Sequence, residues 1–300
     1  MKKNILTVLC IAATVLNVTA QNVALTAAKK DTSYWKKASN FGINFSQGSF
    51  SESWVGGAIN NFAVGVLLTS KGEYERDRTK WVNDFQFQYG MIKNKGANAQ
   101  KSLDRIFFDS KYGYKLSPTS KWYFTADLNF QSQIANGYDN TLAKRPLISS
   151  FFTPAYLIEA IGFEYKPNKN FSLLLTPGAL RQTILGNKLL YQRNVDNPKF
   201  TNYGVTNGDA VRNEFGIIML VANYDKDIAK NINLKWRYQA FISSKIKDAS
   251  EIDHNVNVIL TAKVNEFVNV SVGGILNYDK DQTADLQYAQ SLGIGLAYKW

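Results

Sequence analysis

The chain has one cysteine, Cys10, and one histidine, His254, in 300 residues. A lone cysteine excludes a disulfide scaffold and a thiolate zinc centre. A lone histidine removes most metal and triad chemistry as well. Beyond the N-terminus no apolar run reaches the roughly 20 residues that a membrane helix needs, so a helical membrane protein is excluded. Acidic residues are in deficit, 24 against 35 Lys and Arg, for a net charge of +11. That excess is spread along the chain rather than gathered into a basic stripe interleaved with stacking aromatics, which argues against nucleic acid. What the chain does have is 18 Phe, 16 Tyr and 20 Gly, too aromatic a composition for a disordered segment.

Residues 1–20 carry a basic start at Lys2 and Lys3, an apolar run from Ile5 to Leu16, and small residues before Gln21, with Val18 and Ala20 at the positions of a cleavage site. This predicts a signal peptide. Cys10 lies inside the apolar run, so lipidation is not the expected use of it. Residues 21–37 read as a polar periplasmic leader.

From residue 38 to 300 the pattern has period two. Trp122, Phe124, Ala126, Leu128 and Phe130 share one face, opposite Tyr123, Thr125, Asp127, Asn129 and Gln131. Leu292, Ile294, Leu296, Tyr298 and Trp300 repeat the arrangement at the C-terminus. Twelve strands are predicted, at roughly 38–48, 53–69, 79–93, 102–116, 121–134, 151–166, 171–184, 212–225, 230–244, 251–264, 267–279 and 287–300. Short connections such as 117–120, 167–170 and 226–229 alternate with longer ones, and 185–211 is the longest; the charged link 70–78 breaks the rule. An even strand count with short turns at one end and long loops at the other is the pattern of an all-β, closed antiparallel outer-membrane barrel. A second, independent sign is aromatic. Trp81, Tyr114, Trp122, Tyr165, Tyr224 and Trp300 fall at strand ends on the short-turn side, where a periplasmic girdle of amphipathic rings is expected. A soluble sandwich would need polar outer faces and gives no reason for that agreement. The expected location is therefore the outer membrane of a Gram-negative bacterium.

Several stretches resemble one family. They are Asn44-Phe45-Ser46-Gln47 with Trp54-Val55-Gly56-Gly57, Trp81-Val82-Asn83 with Tyr89-Gly90-Met91, Asp104-Arg105 with Lys111-Tyr112-Gly113-Tyr114, and Gln133 to Tyr138 followed by Phe152-Thr153-Pro154. The family is a Bacteroidota outer-membrane β-barrel family catalogued as domain of unknown function 3078. The similarity runs from about 35 to 177 and again, more weakly, over 231–278. It implies export and a barrel, and supplies no activity or catalytic residue. Residues 185–211 match none of its motifs.

The pleat sets the inward residues, and turns set approximate register. Folding about Pro118 is expected to place Asp109 opposite Asp127, and folding about Asn98 places Asp84 near Lys111. Lys235 and Arg237 are expected across the lumen. An acidic wall facing a basic one would orient a small polar solute, so Asp84, Asp109, Lys111, Asp127, Lys235 and Arg237 are the candidate lumen and selectivity residues. A structural ion-pair network is the plainer use of the same residues. His254, beside Ser250, Glu251 and Asp253, has the residue types of a hydrolase without a motif, and Gly56-Gly57 suits a bulge rather than a phosphate loop. No catalytic residue, metal or cofactor is assigned. The expected role is a passive channel for small polar solutes, with a non-conducting accessory barrel that binds a protein partner as the alternative. The expected partners are outer-membrane lipid, the barrel-assembly machinery through the strand ending at Trp300, and the solute.

Overall fold

A computed structural model describes residues 34–48, 60–139, 144–191, 202–206, 208–280 and 283–299. The expected signal peptide, most of the leader, Gly56-Gly57 and Trp300 lie outside the described residues. The strands are β1 (Trp35–Gly48), β2 (Asn61–Arg76), β3 (Thr79–Asn94), β4 (Gln100–Lys115), β5 (Trp122–Ser132), a small outer hairpin of β6 (Gly137–Tyr138) and β7 (Leu147–Ser149), β8 (Ala155–Tyr165), β9 (Phe171–Thr176), β10 (Ala179–Ile184), β11 (Val211–Ala229), β12 (Ile232–Ser243), β13 (Asp253–Lys263), β14 (Val268–Asp279) and β15 (Thr283–Lys299). A four-residue helix, α1 (Lys188–Tyr191), and a 3-10 turn at Asn202–Gly204 lie in the loop before β11.

All strand pairs are antiparallel, and the sheet closes on itself through β1 and β15, from Asn40↔Lys299 to Asn44↔Gly295. β9 and β10 both sit between β8 and β11, so they are two halves of one spanning strand. Counted so, the ring has twelve strands, as the sequence predicts. Alternation explains the faces. In β5, Trp122, Phe124 and Leu128 are exposed while Tyr123, Thr125, Asp127 and Asn129 are buried, and Phe45, Phe163, Phe215, Leu292 and Ile294 extend the exposed apolar wall around the ring. An apolar exterior, a polar interior and no open edge make this an outer-membrane β-barrel.

Several boundaries differ from expectation. The expected connection 226–229 is the end of β11, paired with β12, and the turn lies at Lys230-Asn231. Three further differences have physical reasons. β1 begins at Trp35, so the last residues of the expected leader are strand. The charged link 70–78 is not a link. β2 continues to Arg76 and pairs with β3 across a two-residue turn at Asp77-Arg78, with Asp77 at φ 53. Lys71, Glu73 and Glu75 occupy lumenal positions there, and Lys71 Nζ meets Glu73 at 2.6 Å while Lys80 Nζ meets Glu75 at 3.4 Å. The connection between β2 and β3 is therefore short, as expected at that end of the barrel. The expected strand 171–184 is interrupted at Pro177-Gly178, where proline has no N–H for the ladder. Pairing with β11 keeps one register through the break, while pairing with β8 shifts from Phe163↔Leu175 to Ala160↔Ala179. Gly162 of β8 makes room for this bulge, since a Cβ there would lie 2.2 Å from Leu175 O and 2.7 Å from Thr176 Cα.

Candidate lumenal site

The lumen is crossed by charged side chains at three levels. At mid-height the acidic wall is Asp84 and Asp109, which are direct cross-strand partners on β3 and β4. Asp84 accepts from Gln86 Nε2 at 3.2 Å, and Asp109 accepts from Asn129 Nδ2 at 2.8 Å. The basic wall is Lys235 and Arg237 on β12. Counted around the ring, β12 is six strands from β3 in either direction, so the two walls are diametrically opposed. They nevertheless touch. Lys235 Nζ lies 3.4 Å from Asp84 Oδ2, and Arg237 Nη2 lies 3.9 Å from Asp109 Oδ1. Arg105 and Arg237 also approach the Phe107 ring, at 4.8 and 5.9 Å from its centroid, and fill space between the walls.

Nearer the short-turn end, Lys111 Nζ reaches Glu164 Oε1 at 3.3 Å, and Lys166 Nζ reaches Glu164 Oε2 at 2.8 Å. Lys111, Glu164 and Asp127 are all buried. Asp127 stands directly across the ladder from Lys111, yet neither of its carboxylate oxygens has a hydrogen-bond partner among the described residues, and nor does Thr125 Oγ1. These are the costly groups of the site, because a sealed polar atom forfeits its water without a replacement.

Nearer the long-loop end, one guanidinium organises three acids. Arg181 of β10 lies 2.8 Å from Glu214, 2.6 Å from Asp253 and 3.7 Å from Asp279, and Arg212 Nη2 holds the other Glu214 oxygen at 2.7 Å. The Arg181 guanidinium stacks 4.4 Å above the Phe241 ring, and that ring lies on Gly216, where a Cβ would be 2.6 Å from it. Leu185, Leu190 and Val205 of the adjoining loop are buried, and Tyr203 Oη donates to Ile148 O at 2.9 Å, tying this loop to the small hairpin.

The expected register between acids is corrected by two residues. Asp109 faces Asn129, and Asp127 faces Lys111, because the turn at 116–121 folds about Thr119 rather than Pro118. Asp84 faces Asp109 while Val82 faces Lys111, because the outer connection at 95–99 folds nearer β3 and a bulge falls between Gly90 and Met91. The acid pair is therefore Asp84 with Asp109. Lys235 and Arg237 do lie across the lumen. Glu164, Lys166, Arg105 and the Arg181 cluster were not anticipated. For Glu164 the available signal was a charged residue at an inward position within an otherwise apolar strand.

Of the aromatic residues expected near the short turns, Trp81, Tyr114, Trp122, Tyr165 and Tyr224 lie at strand ends on that side, and Trp300 is outside the described residues. Trp81, Tyr114 and Trp122 are exposed on the outward face, Trp122 packs 4.9 Å from Tyr165, Tyr224 stacks 5.8 Å from Trp236, and Trp35 joins Trp81 at 5.7 Å. His254 faces outward near the other rim, where its Nδ1 is 2.9 Å from Tyr238 Oη, while its neighbour Asp253 faces inward to Arg181. The two residues point to opposite sides of the wall and do not form the orienting pair that a triad needs.

The family model described as "Protein of unknown function (DUF3078)" matches residues 45–138, the stretch in which most of the quoted motifs lie. No curated protein sequence matches the chain. Among solved structures the chain is similar to an outer membrane channel from Pseudomonas putida, at 8% identity over 88% of this chain and 93% of that one with TM-score 0.37. It is similar to the NanC porin at 7% identity over 86% and 98% with TM-score 0.37. It is also similar to the outer membrane channel DcaP of Acinetobacter baumannii, at 8% identity over 89% and 96% with TM-score 0.30.

Proposed function

We propose that the protein is an outer-membrane channel for small polar solutes whose resting lumen is closed by ion pairs across its diameter. The observation that carries this is the Asp84–Lys235 and Asp109–Arg237 contact between opposite walls. These pairs are long, and Lys235 remains 42% exposed, so each contact is weak and a charged or dipolar solute can exchange with it. An acidic wall and a basic wall together favour a solute carrying both charges, or a polar one, over an apolar one. In this reading the short-turn end is periplasmic, its aromatic ring meets lipid headgroups, and β15 presents the signal for barrel assembly.

Planar-bilayer conductance of the refolded chain, compared with the Lys235→Ala/Arg237→Ala double variant, is the test. Removal of the basic wall is expected to raise unitary conductance and cation preference, and Asp109→Asn is expected to lower that preference. Folded, inserted protein that is silent in every form would overturn the channel. A second reading has its own observation, the sealing of Glu164 and Glu214 in buried ion pairs at the other two levels. A non-conducting accessory barrel predicts silence together with a protein partner recovered on gentle extraction.

A further inference from the structure

Arg105 is a lumenal cation without a counter-ion. It sits on the inward face of β4, where Arg105, Phe107, Asp109 and Lys111 follow one another from the long-loop end toward the short-turn end. A guanidinium is charged at any working pH, and one that leaves bulk water needs a charged acceptor to offset the loss. Among the described residues Arg105 makes one side-chain hydrogen bond, from Nε to Gln131 Oε1 at 3.2 Å, and no carboxylate pairs with it. The acids beside it are already engaged. Asp84 meets Lys235 and Gln86, and Asp109 meets Arg237 and Asn129. Mid-height therefore holds three cations, Arg105, Lys235 and Arg237, against two carboxylates. Arg237 is itself loosely held, since it lies 3.9 Å from Asp109 while its Nη2 donates to Gln239 at 2.9 Å. Both guanidiniums lie against the buried Phe107 ring, whose face attracts a cation but cannot neutralise it.

We propose that Arg105, with Arg237, forms an anion site on the long-loop side of the Asp109 contact, and that its ligand is the monoanionic carboxylate of a small polar solute. Charge sets the valence. One uncompensated positive charge is neutralised by a monoanion and overshot by a dianion such as sulfate. Shape agrees, because a planar guanidinium takes a carboxylate through two parallel N–H···O bonds. Amides flank the fork. Gln88 is the direct cross-strand partner of Arg105 and Gln131 lies on the next strand, so donors and acceptors stand ready for the rest of a polar solute. A carboxylate bound here also gives Arg237 a partner other than Asp109, so a solute arriving from the long-loop end loosens the contact across the lumen. The assignment deepens the channel reading by naming a solute class, and it rests on the same access to the lumen.

Binding is measured by isothermal titration calorimetry on the refolded chain in detergent micelles at neutral pH and low chloride, a readout that needs no conduction. The probe is N-acetylglycine, its uncharged amide is the control, and sulfate is the dianion. The acid is expected to bind, the amide not to, and sulfate to bind more weakly than the acid. Arg105→Gln is expected to weaken the acid about tenfold or more, because a charge-assisted pair of bonds is lost. Arg105→Lys is expected to weaken it less, since the charge stays and the fork goes. Lys93→Gln removes an exposed charge at the outer end of β3 and is expected to leave binding unchanged, which separates the site from the diffuse net charge. Heat-dependent gel mobility reports folding, and the comparison of acid with amide in wild type carries the test if Arg105→Gln does not fold. No binding of the acid, equal binding of acid and amide, tighter binding of sulfate, or an Arg105→Gln variant that binds like wild type would overturn the proposal. Conduction is scored separately in planar bilayers. A silent chain that still binds the acid removes the channel and keeps the site, and a conducting chain that binds neither probe does the reverse.

Discussion

Arg181 shows how much one lumenal side chain can hold. It is the shared counter-ion of Glu214, Asp253 and Asp279, and its removal leaves Glu214, 1% exposed, with Arg212 alone. Breaking a buried pair from one side typically costs about 3–5 kcal/mol. Arg181→Met is accordingly expected to lower unfolding stability in lipid vesicles by that order, as measured by urea titration of tryptophan fluorescence. Glycines give a second residue-scale test. Gly162→Ala forces a Cβ into the backbone of Leu175 and Thr176, whereas a Cβ at Gly178 meets nothing within 4 Å. Overpacking of this kind costs about 1–3 kcal/mol, so Gly162→Ala is expected to destabilise clearly and Gly178→Ala much less, by the same titration. Neither role was visible in the sequence. An isolated Gly inside a strand signals close backbone approach in general, but which backbone approaches is fixed by a bulge on the next strand.

At the scale of elements, strand identity was legible wherever one face meets lipid, because that face must be apolar and period two then appears unmasked. It was illegible where both faces are polar or both apolar. Residues 71–76 alternate a charged lumenal residue with Gly72, Tyr74 and Arg76, which reads as a solvated link until the pairing with β3 is seen. Phe171 to Ile184 looks continuous because hydrophobicity persists across Pro177-Gly178, and only register reveals the slip. Register itself was legible to about two residues, since a turn's centre is uncertain by one and every error of one in the centre moves the partner by two. Loops obey local chemistry more openly. Asp248 caps the turn Ala249–Glu251 by accepting from Ser250 N at 2.7 Å, and the bonds from Ser250 hold its carboxyl below the ordinary value. A lowered carboxylate contributes above its unfolded value and loses that contribution as pH falls through the folded one. The protection factor of the Ser250 amide, its exchange rate relative to the intrinsic rate at the same pH, is expected to fall in Asp248→Ala, and in wild type on acidification.

For the molecule as a whole, twelve strands and a polar interior were readable from alternation, but the state of the lumen was not. Whether Lys235 and Arg237 touch the far wall depends on side-chain reach over a distance that no one-dimensional pattern encodes. If the two ion pairs close the lumen, ionic strength should loosen them, since partly exposed pairs are screened by salt. Open probability in bilayers is expected to rise from 0.1 M to 1 M KCl in wild type and to be nearly salt-independent in the Lys235→Ala/Arg237→Ala variant. The seam between the first and last strands carries a further consequence, for the order in which the barrel forms. Asn44 meets Gly295 only when almost the whole chain has been threaded, whereas neighbouring hairpins close within a few tens of residues. Loop entropy alone makes a closure of about 250 residues roughly 2 kcal/mol harder than one of about 20. Assembly should therefore pass through an open, curled ribbon whose two free edges are complementary to each other. A Gly42→Cys/Ala297→Cys pair, cross-strand partners at that seam, is expected to become oxidisable only in the final kinetic phase of insertion, after every hairpin is already protected from exchange.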